Sequence, residues 1–270
     1  MDTLLIAVIV LGLLGLLFGM VLAYSSKKFA VKVDPKIQEI MEILPGLNCG
    51  ACGYAGCMGY AEALVNDDVD LHLCKPGGKE TVEQLAVKLG KEAKSVEKMC
   101  AVIKCQGNLV NSPEKTTYRG IKSCSAAAVM GGINKSCKYS CLGQGDCVSV
   151  CPVEAIKMEQ DKGIPIVIRH KCIECGKCVT ECPRDLIEMT PLSKEVHILC
   201  KSNDLGPIVR TVCKAGCIGC GICVKNCPTQ AISMENNLAF INYEKCTNCG
   251  VCVTKCPTKA IKHFLTLKSH

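Results

Sequence analysis

The stretch Cys217-Ile-Gly-Cys220-Gly-Ile-Cys223-Val-Lys-Asn-Cys227-Pro228 sets four thiols at spacings of x2, x2 and x3 and closes them with a proline. The same string returns as Cys172, Cys175, Cys178, Cys182-Pro183 and as Cys246, Cys249, Cys252, Cys256-Pro257. Three thiolates so spaced wrap one [4Fe–4S] cube, while the fourth reaches over to a neighbouring cube. Gly176, Gly221 and Gly250 let backbone N–H groups come close to such a cube. A zinc ribbon would show two separated CxxC pairs without the third and fourth cysteines.

A fourth copy, Cys137-x3-Cys141-x5-Cys147-x3-Cys151-Pro152, reads as a stretched version with a widened first loop. The segments after the four prolines are alike: CPVEAI, CPRDLI, CPTQAI and CPTKAI are four forms of one turn leading into a strand. The apolar stretches IPIVIRHKC and LAFINYEKC read as strands entering the second run of each pair. Cross-ligation then predicts four sets: Cys137, Cys141 and Cys147 with Cys182; Cys172, Cys175 and Cys178 with Cys151; Cys217, Cys220 and Cys223 with Cys256; Cys246, Cys249 and Cys252 with Cys227.

The pattern is duplicated on a larger scale. VIKCQGN puts Cys105 at the end of an apolar run, with Cys124 following at x18; HILCKSND puts Cys200 in the same setting, with Cys213 at x12. Two half-motifs of two cysteines predict a sixth [4Fe–4S] site at Cys105, Cys124, Cys200 and Cys213, against the plainer reading of buried thiols. Cys100 is left over as a free thiol.

Upstream, Cys49-x2-Cys52-x4-Cys57-x16-Cys74 forms a separate constellation in a glycine-rich loop with Gly50, Gly53 and Gly56. Asp34 and Pro35 open a helix carrying Ile37, Ile40, Met41 and Leu44, and Pro45-Gly46 stops it. Thr81-x-x-Gln84 reads as a capping box before Val82, Leu85 and Leu89. These four thiols could also hold zinc; the company of the other runs favours iron–sulfur.

Residues Leu4 to Tyr24 carry no charge and, at the helical rise, cover about 31 Å, enough for a bilayer core of roughly 30 Å. No basic region precedes them as it would in a signal peptide. Lys27, Lys28, Lys32 and Lys36 come after them, which places the N-terminus outside and the bulk of the chain in the cytoplasm, on a single-pass anchor in the cell inner membrane. The expected organisation is α+β: a transmembrane anchor (1–26), a small helical [4Fe–4S] domain (27–98), and two tandem ferredoxin-like two-cluster halves (99–195 and 196–270).

Composition agrees. With 25 cysteines in 270 residues, 4% aromatics and no Trp, small units must be held by something inorganic or covalent, and a cytoplasmic setting disfavours disulfides. The five histidines (His72, His170, His197, His263, His270) fit no Rieske spacing. Neither a dinucleotide fingerprint nor a P-loop occurs. The formal charge of +7 counts thiols as neutral; six oxidised clusters at about −2 each bring the loaded chain to about −5. Nucleic acid is therefore not an expected partner. Such a chain is a wire for single electrons, with no acid–base pair, nucleophile or catalytic residue of its own.

The apolar N-terminal helix, the LPGLNCGACGYAGC segment with Cys74, and the CxxCxxCxxxCP runs together resemble the B subunit of the Rnf complex, the ion-translocating ferredoxin:NAD oxidoreductase. The resemblance covers nearly the whole chain, and the NCGACGYAGC segment is its specific element. It implies an electron-relay subunit that accepts electrons from reduced ferredoxin and passes them to the membrane and NAD-reducing subunits. The Cys49–Cys74 pattern also looks like the iron–sulfur segment of corrinoid proteins, so a reductive activator of a corrinoid-dependent enzyme is the alternative.

Overall fold

The computed structural model describes residues 2–29, 34–93, 97–132, 134–159 and 161–264; Lys32 and His270 lie outside them. The first helix, α1 (Asp2–Lys28), ends on Lys27 and Lys28, which suit the negative end of its dipole. Its segment from Leu4 onward is long and apolar enough to cross a membrane and buries none of its surface within the chain.

Three short helices make the next unit: α2 (Pro35–Ile43), α3 (Gly56–Asn66) and α4 (Gly78–Leu89). The Asp34 carboxylate accepts the Lys36 N–H at 2.9 Å, and Pro35 begins α2. Ile37, Ile40 and Leu44 pack on Tyr60, Leu64, Leu71, Val82 and Leu85, a core that also holds Cys57 and Cys74. One local expectation fails. α4 begins at Gly78, so Thr81 lies inside the helix and caps nothing. The chain winds from Cys74 through a 3-10 turn at Lys75–Gly77 and breaks at Gly78, at φ +64°, so α4 opens three residues before Thr81.

The remainder is built twice. The first half runs β1 (Met99–Ile103), α5 (Cys124–Val129), α6 (Asp146–Ser149), β2 (Ile156–Glu159), β3 (Ile164–Val167), α7 (Lys177–Glu181) and β4 (Ile187–Pro191). The second runs β5 (Val196–Ile198), α8 (Gly206–Val212), α9 (Ile222–Lys225), β6 (Ile232–Glu235), β7 (Leu238–Ile241), α10 (Val251–Lys255) and β8 (Ile261–His263). In each half an inner antiparallel hairpin (β2–β3, β6–β7) is accompanied by an antiparallel pair joining the ends of the half (β1–β4, β5–β8).

The four Cys-Pro turns share one conformation. Glu154, Asp185, Gln230 and Lys259, each the fourth residue of its turn, all stand at positive φ, between 50° and 55°. That left-handed step reverses the chain into β2, β4, β6 and β8. The four helices that carry the third cysteine of a run each start after a left-handed glycine, Gly145, Gly176, Gly221 or Gly250.

Polar contacts tie the halves together. Lys138 pairs with Asp204 at 2.8 Å, and Glu188, which also holds Lys104 of its own half at 3.3 Å, takes Lys201 of the other at 3.0 Å. The Ser112 hydroxyl donates to the Val212 carbonyl at 2.9 Å.

Candidate metal centres

Three of the four cysteines that end a Cys-Pro run accept a backbone N–H from their own turn. The N–H of Ala155 donates to Cys151 Sγ at 3.2 Å, that of Leu186 to Cys182 Sγ at 3.4 Å and that of Ala231 to Cys227 Sγ at 3.3 Å. The third cysteines, Cys147, Cys178, Cys223 and Cys252, are buried at the starts of α6, α7, α9 and α10. Proline turn and short helix therefore point their sulfurs at opposite ends of each half.

In the second half, Cys217, Cys220, Cys223 and Cys256 line one space of about 360 Å³. Cys246, Cys249, Cys252 and Cys227 line another of about 320 Å³. In the first half Cys172, Cys175, Cys178 and Cys151 line a space of about 340 Å³. These three groups have the memberships that cross-ligation predicts. Ile156, Ile198, Ile232, Ala239 and Ile261 pack around them.

The other two groups differ from the expectation. The space beside Cys141, Cys147 and Cys182, about 370 Å³, is lined by Cys124 and not by Cys137. Cys137 instead stands with Cys105, Cys200 and Cys213 around a space of about 350 Å³. The structure thus groups Cys124 with Cys141, Cys147 and Cys182, and Cys137 with Cys105, Cys200 and Cys213, where the spacing had suggested Cys137/Cys141/Cys147/Cys182 and Cys105/Cys124/Cys200/Cys213. The physical reason lies at α5: Ser123 Oγ receives the Ala126 N–H at 3.4 Å, and the Asp146 carboxylate receives the N–H groups of Cys124 (2.8 Å) and Ser125 (3.1 Å). These contacts dock the start of α5 on the loop before Cys147, far from where a simple x18 spacing would place it.

At the N-terminal unit the Asn48 side chain accepts the Cys57 N–H at 2.9 Å and closes the glycine loop over the start of α3. A Cβ on Gly56, which stands at φ +87°, would meet Asn48 Oδ1 at 2.8 Å, so only glycine allows this closure. Cys49, Cys52 and Cys57 all act electrostatically on Cys74, whose thiol burial pushes up, with a Gly77 N–H opposing. Tyr60 donates to the Asp70 carbonyl at 2.8 Å and covers the same group.

The donor chemistry fits iron–sulfur clusters. Burial, and then neighbouring sulfurs, push the thiols of Cys147, Cys178 and Cys252 up to about 12. Crowding of this kind disfavours thiolates unless a positive core is shared between them. The sulfurs line spaces in groups of four, and among the described residues no three His, Cys, Asp or Glu side chains converge as a single ion would require.

Cys100 is not simply left over. It is fully buried on β1 within the core that holds Cys172 and Cys178, and its thiol donates to the backbone carbonyls of Ala101 (3.4 Å) and Arg169 (3.9 Å). His197, one of the histidines set aside as ordinary, is buried between Tyr243 and the Lys194 carbonyl and lines none of the cysteine groups.

Comparison with known proteins adds independent findings. Residues 44–76 match a family model described as "Putative Fe-S cluster", residues 146–192 an LdpA Fe–S cluster-binding domain and residues 216–260 a 4Fe–4S dicluster domain. The chain is 45% identical over 243 residues, 90% of its own length and 85% of the relative's, to the B subunit of the proton-translocating ferredoxin:NAD(+) oxidoreductase complex of Clostridium ljungdahlii. It is 41% identical to the B subunit of the Na(+)-translocating complex of Acetobacterium woodii, over 91% of this chain and 73% of that one. It is 40% identical to the B subunit of the ion-translocating oxidoreductase complex of Methanosarcina acetivorans, over 88% and 90%.

Proposed function

The chain belongs to the B subunits of the ion-translocating ferredoxin:NAD oxidoreductase complexes, and from that premise we propose that it takes electrons from reduced ferredoxin and relays them to the membrane and NAD-reducing subunits of such a complex. The observation that carries this reading is the gathering of 24 of the 25 cysteines into groups of four along the chain. Family membership displaces the reductive activator of a corrinoid enzyme as an alternative.

Four ligand sets are assigned as the sequence suggests: Cys49/Cys52/Cys57/Cys74, Cys151/Cys172/Cys175/Cys178, Cys217/Cys220/Cys223/Cys256 and Cys227/Cys246/Cys249/Cys252. When bound, each [4Fe–4S] cluster accepts and releases one electron at a potential set by its surroundings. This chain's residues hold the sulfurs, donate N–H groups to them, and exclude water with small apolar side chains. The two cluster-bearing halves are read as tandem ferredoxin-like modules, supported by their repeated strand pairing. We assign the Cys49–Cys74 site to delivery at the membrane and the modules to the soluble donor.

α1 serves as the anchor in this reading, with the N-terminus outside and the modules in the cytoplasm, by the excess of lysines after it. The relatives couple to protons in one case and to Na(+) in another, so the coupling ion is not a property that this family membership assigns.

The test uses the full chain, purified without oxygen in detergent and mixed with chemically reduced ferredoxin. Bleaching of the iron–sulfur absorbance counts electrons taken up per chain. Uptake of several electrons is expected; an iron-replete chain that takes none would remove ferredoxin as donor.

A further inference from the structure

The two halves align residue for residue through the segment before the first Cys-Pro turn. Cys137-Lys-Tyr-Ser-Cys141-Leu-Gly143-Gln144-Gly145-Asp-Cys147 lies in register with Cys213-Lys-Ala-Gly-Cys217-Ile-Gly219-Cys220-Gly221-Ile-Cys223. The backbone keeps this register. Gly145 and Gly221 precede α6 and α9 in the left-handed region. Gly143 and Gly219 also stand at positive φ, and a Cβ on either would strike the hairpin-turn carbonyl of Gly163 or Asn237, at 2.6 and 2.9 Å. The first run is therefore not stretched. It has the regular length, with Gln144 where the second half has Cys220.

Another sulfur is at hand where that cysteine is missing. Cys124 lines the same space as Cys141, Cys147 and Cys182, and backbone N–H groups of Asp146, Gln144 and Gly145 point at its sulfur. The Gln144 side chain is folded back, its Nε2 donating to the Leu142 carbonyl at 3.3 Å.

The group that Cys137 joins is symmetric between the halves. Cys105 Sγ accepts from the N–H of Gly107 (3.2 Å) and of Cys141 (3.4 Å). Its counterpart Cys200 accepts from Ser202 at 3.5 Å and from the N–H of Cys217, the residue in register with Cys141. Cys137 receives the N–H groups of Tyr139 and Ser140, and Cys213 those of Ala215 and Gly216, again two and three residues on. Matched pairs of sulfurs with matched donors are what a shared site on a pseudo-twofold axis requires.

We propose that Cys124 replaces the ligand lost at Gln144, completing a cluster site with Cys141, Cys147 and Cys182, and that Cys137 is thereby a ligand of a separate site between the halves with Cys105, Cys200 and Cys213. The proposal rests on the iron–sulfur reading above and deepens it. The site between the halves joins them covalently through metal, so electrons entering one module have a station between it and the other.

The test reads iron and labile sulfide per full-length chain, together with the EPR spectrum of the oxidised and reduced protein. Cys124→Ser should lose about four irons, or convert one site to a three-iron cluster with its own oxidised-state signal. Adding Gln144→Cys to it should restore the loss, because a regular run is rebuilt. Cys137→Ser should show a loss of the same size that Gln144→Cys does not restore. The reverse pattern, rescue of Cys137→Ser and not of Cys124→Ser, would overturn the assignment, as would full loading of Cys124→Ser alone. A wild-type chain without clusters would instead defeat the underlying reading, so the two failures are told apart.

Discussion

The Asp146 carboxylate accepts the backbone N–H of Cys124 at 2.8 Å across a gap of more than twenty residues. The same carboxylate takes the Ser125 N–H at 3.1 Å and the Ser123 hydroxyl at 2.9 Å, so a single side chain caps α5 from the loop that carries Cys147. Loss of such a cap costs about 1–2 kcal/mol. Asp146→Ala is therefore expected to loosen Cys124 while leaving the other groups intact. Its signature is a fast phase, about four irons per chain, in the loss of iron to a chelator. Uniform loss from all sites, or no new phase, would count against this tether.

Glu188 on β4 is shared between Lys104 and Lys201, one from each half. Burial holds the Lys104 ammonium below its usual range despite that carboxylate, whereas the two lysines outweigh burial and hold Glu188 below its own. Glu188→Gln leaves a buried ammonium without its counter-charge and should destabilise the docked halves by about 1–3 kcal/mol. Adding Lys104→Met should recover much of this, since an apolar side chain in that position needs no partner. Denaturant midpoints of the holoprotein decide it. Equal midpoints for wild type and Glu188→Gln would show that Lys104 finds compensation elsewhere.

The legible part of this chain was its periodic part. Three regular runs announce clusters directly, because a cube dictates local spacing, and their company is what tips Cys49, Cys52, Cys57 and Cys74 from zinc to iron–sulfur. Strands at Ile164–Val167 and Leu238–Ile241 came from the same repeats. The proposed exchange of Cys124 and Cys137 is hard to see in the sequence because counting cysteines aligns Cys137 with the first ligand of the other runs. The signal that could have exposed it is the glycine register, Gly143 and Gly145 with Gly219 and Gly221, which fixes Gln144 opposite Cys220. The docking of α5 depends on Asp146, a long-range contact that no local spacing encodes. Thr81 misled for the opposite reason: its local pattern was good, but α4 had already opened at Gly78, three residues before it.

Cys100 offers a test of how the fold sets a potential. Its buried thiol shares a core with Cys172, and its influence is the main reason the Cys172 thiol is drawn down to about 5, against the opposing effect of burial. A donor on a ligand sulfur favours the more negative, reduced cluster, so it raises the reduction potential. Cys100→Ala should shift one cluster to a more negative potential at a stability cost of about 1 kcal/mol or less. Cys100→Ser, which keeps a donor, should shift it less. An EPR-monitored redox titration resolves the two, and identical potentials in all three proteins would exclude the role.

His197 on β5 gives the molecule a pH-dependent term separate from its cysteines. Its Nε2–H donates to the Lys194 carbonyl at 3.0 Å, and Nδ1 lies 2.8 Å from the Tyr243 hydroxyl. Burial first, with Arg169 and Lys104 adding to it, lowers its pKa to about 4, while the Lys194 carbonyl and Glu188 oppose the shift. The unfolded chain protonates this histidine near pH 6.5 and the folded chain does not, so its stabilising contribution is complete above about 6.5 and is lost as pH falls towards 4. Between pH 7.5 and 5.5 the loss should be about 1.3 kcal/mol. His197→Gln has no such proton to take up, and its unfolding midpoint in denaturant, measured without oxygen, should fall less over that interval than the wild type's. Acid effects on the clusters are common to both proteins and cancel in the difference. Parallel pH profiles would mean that the histidine opens to solvent before it titrates.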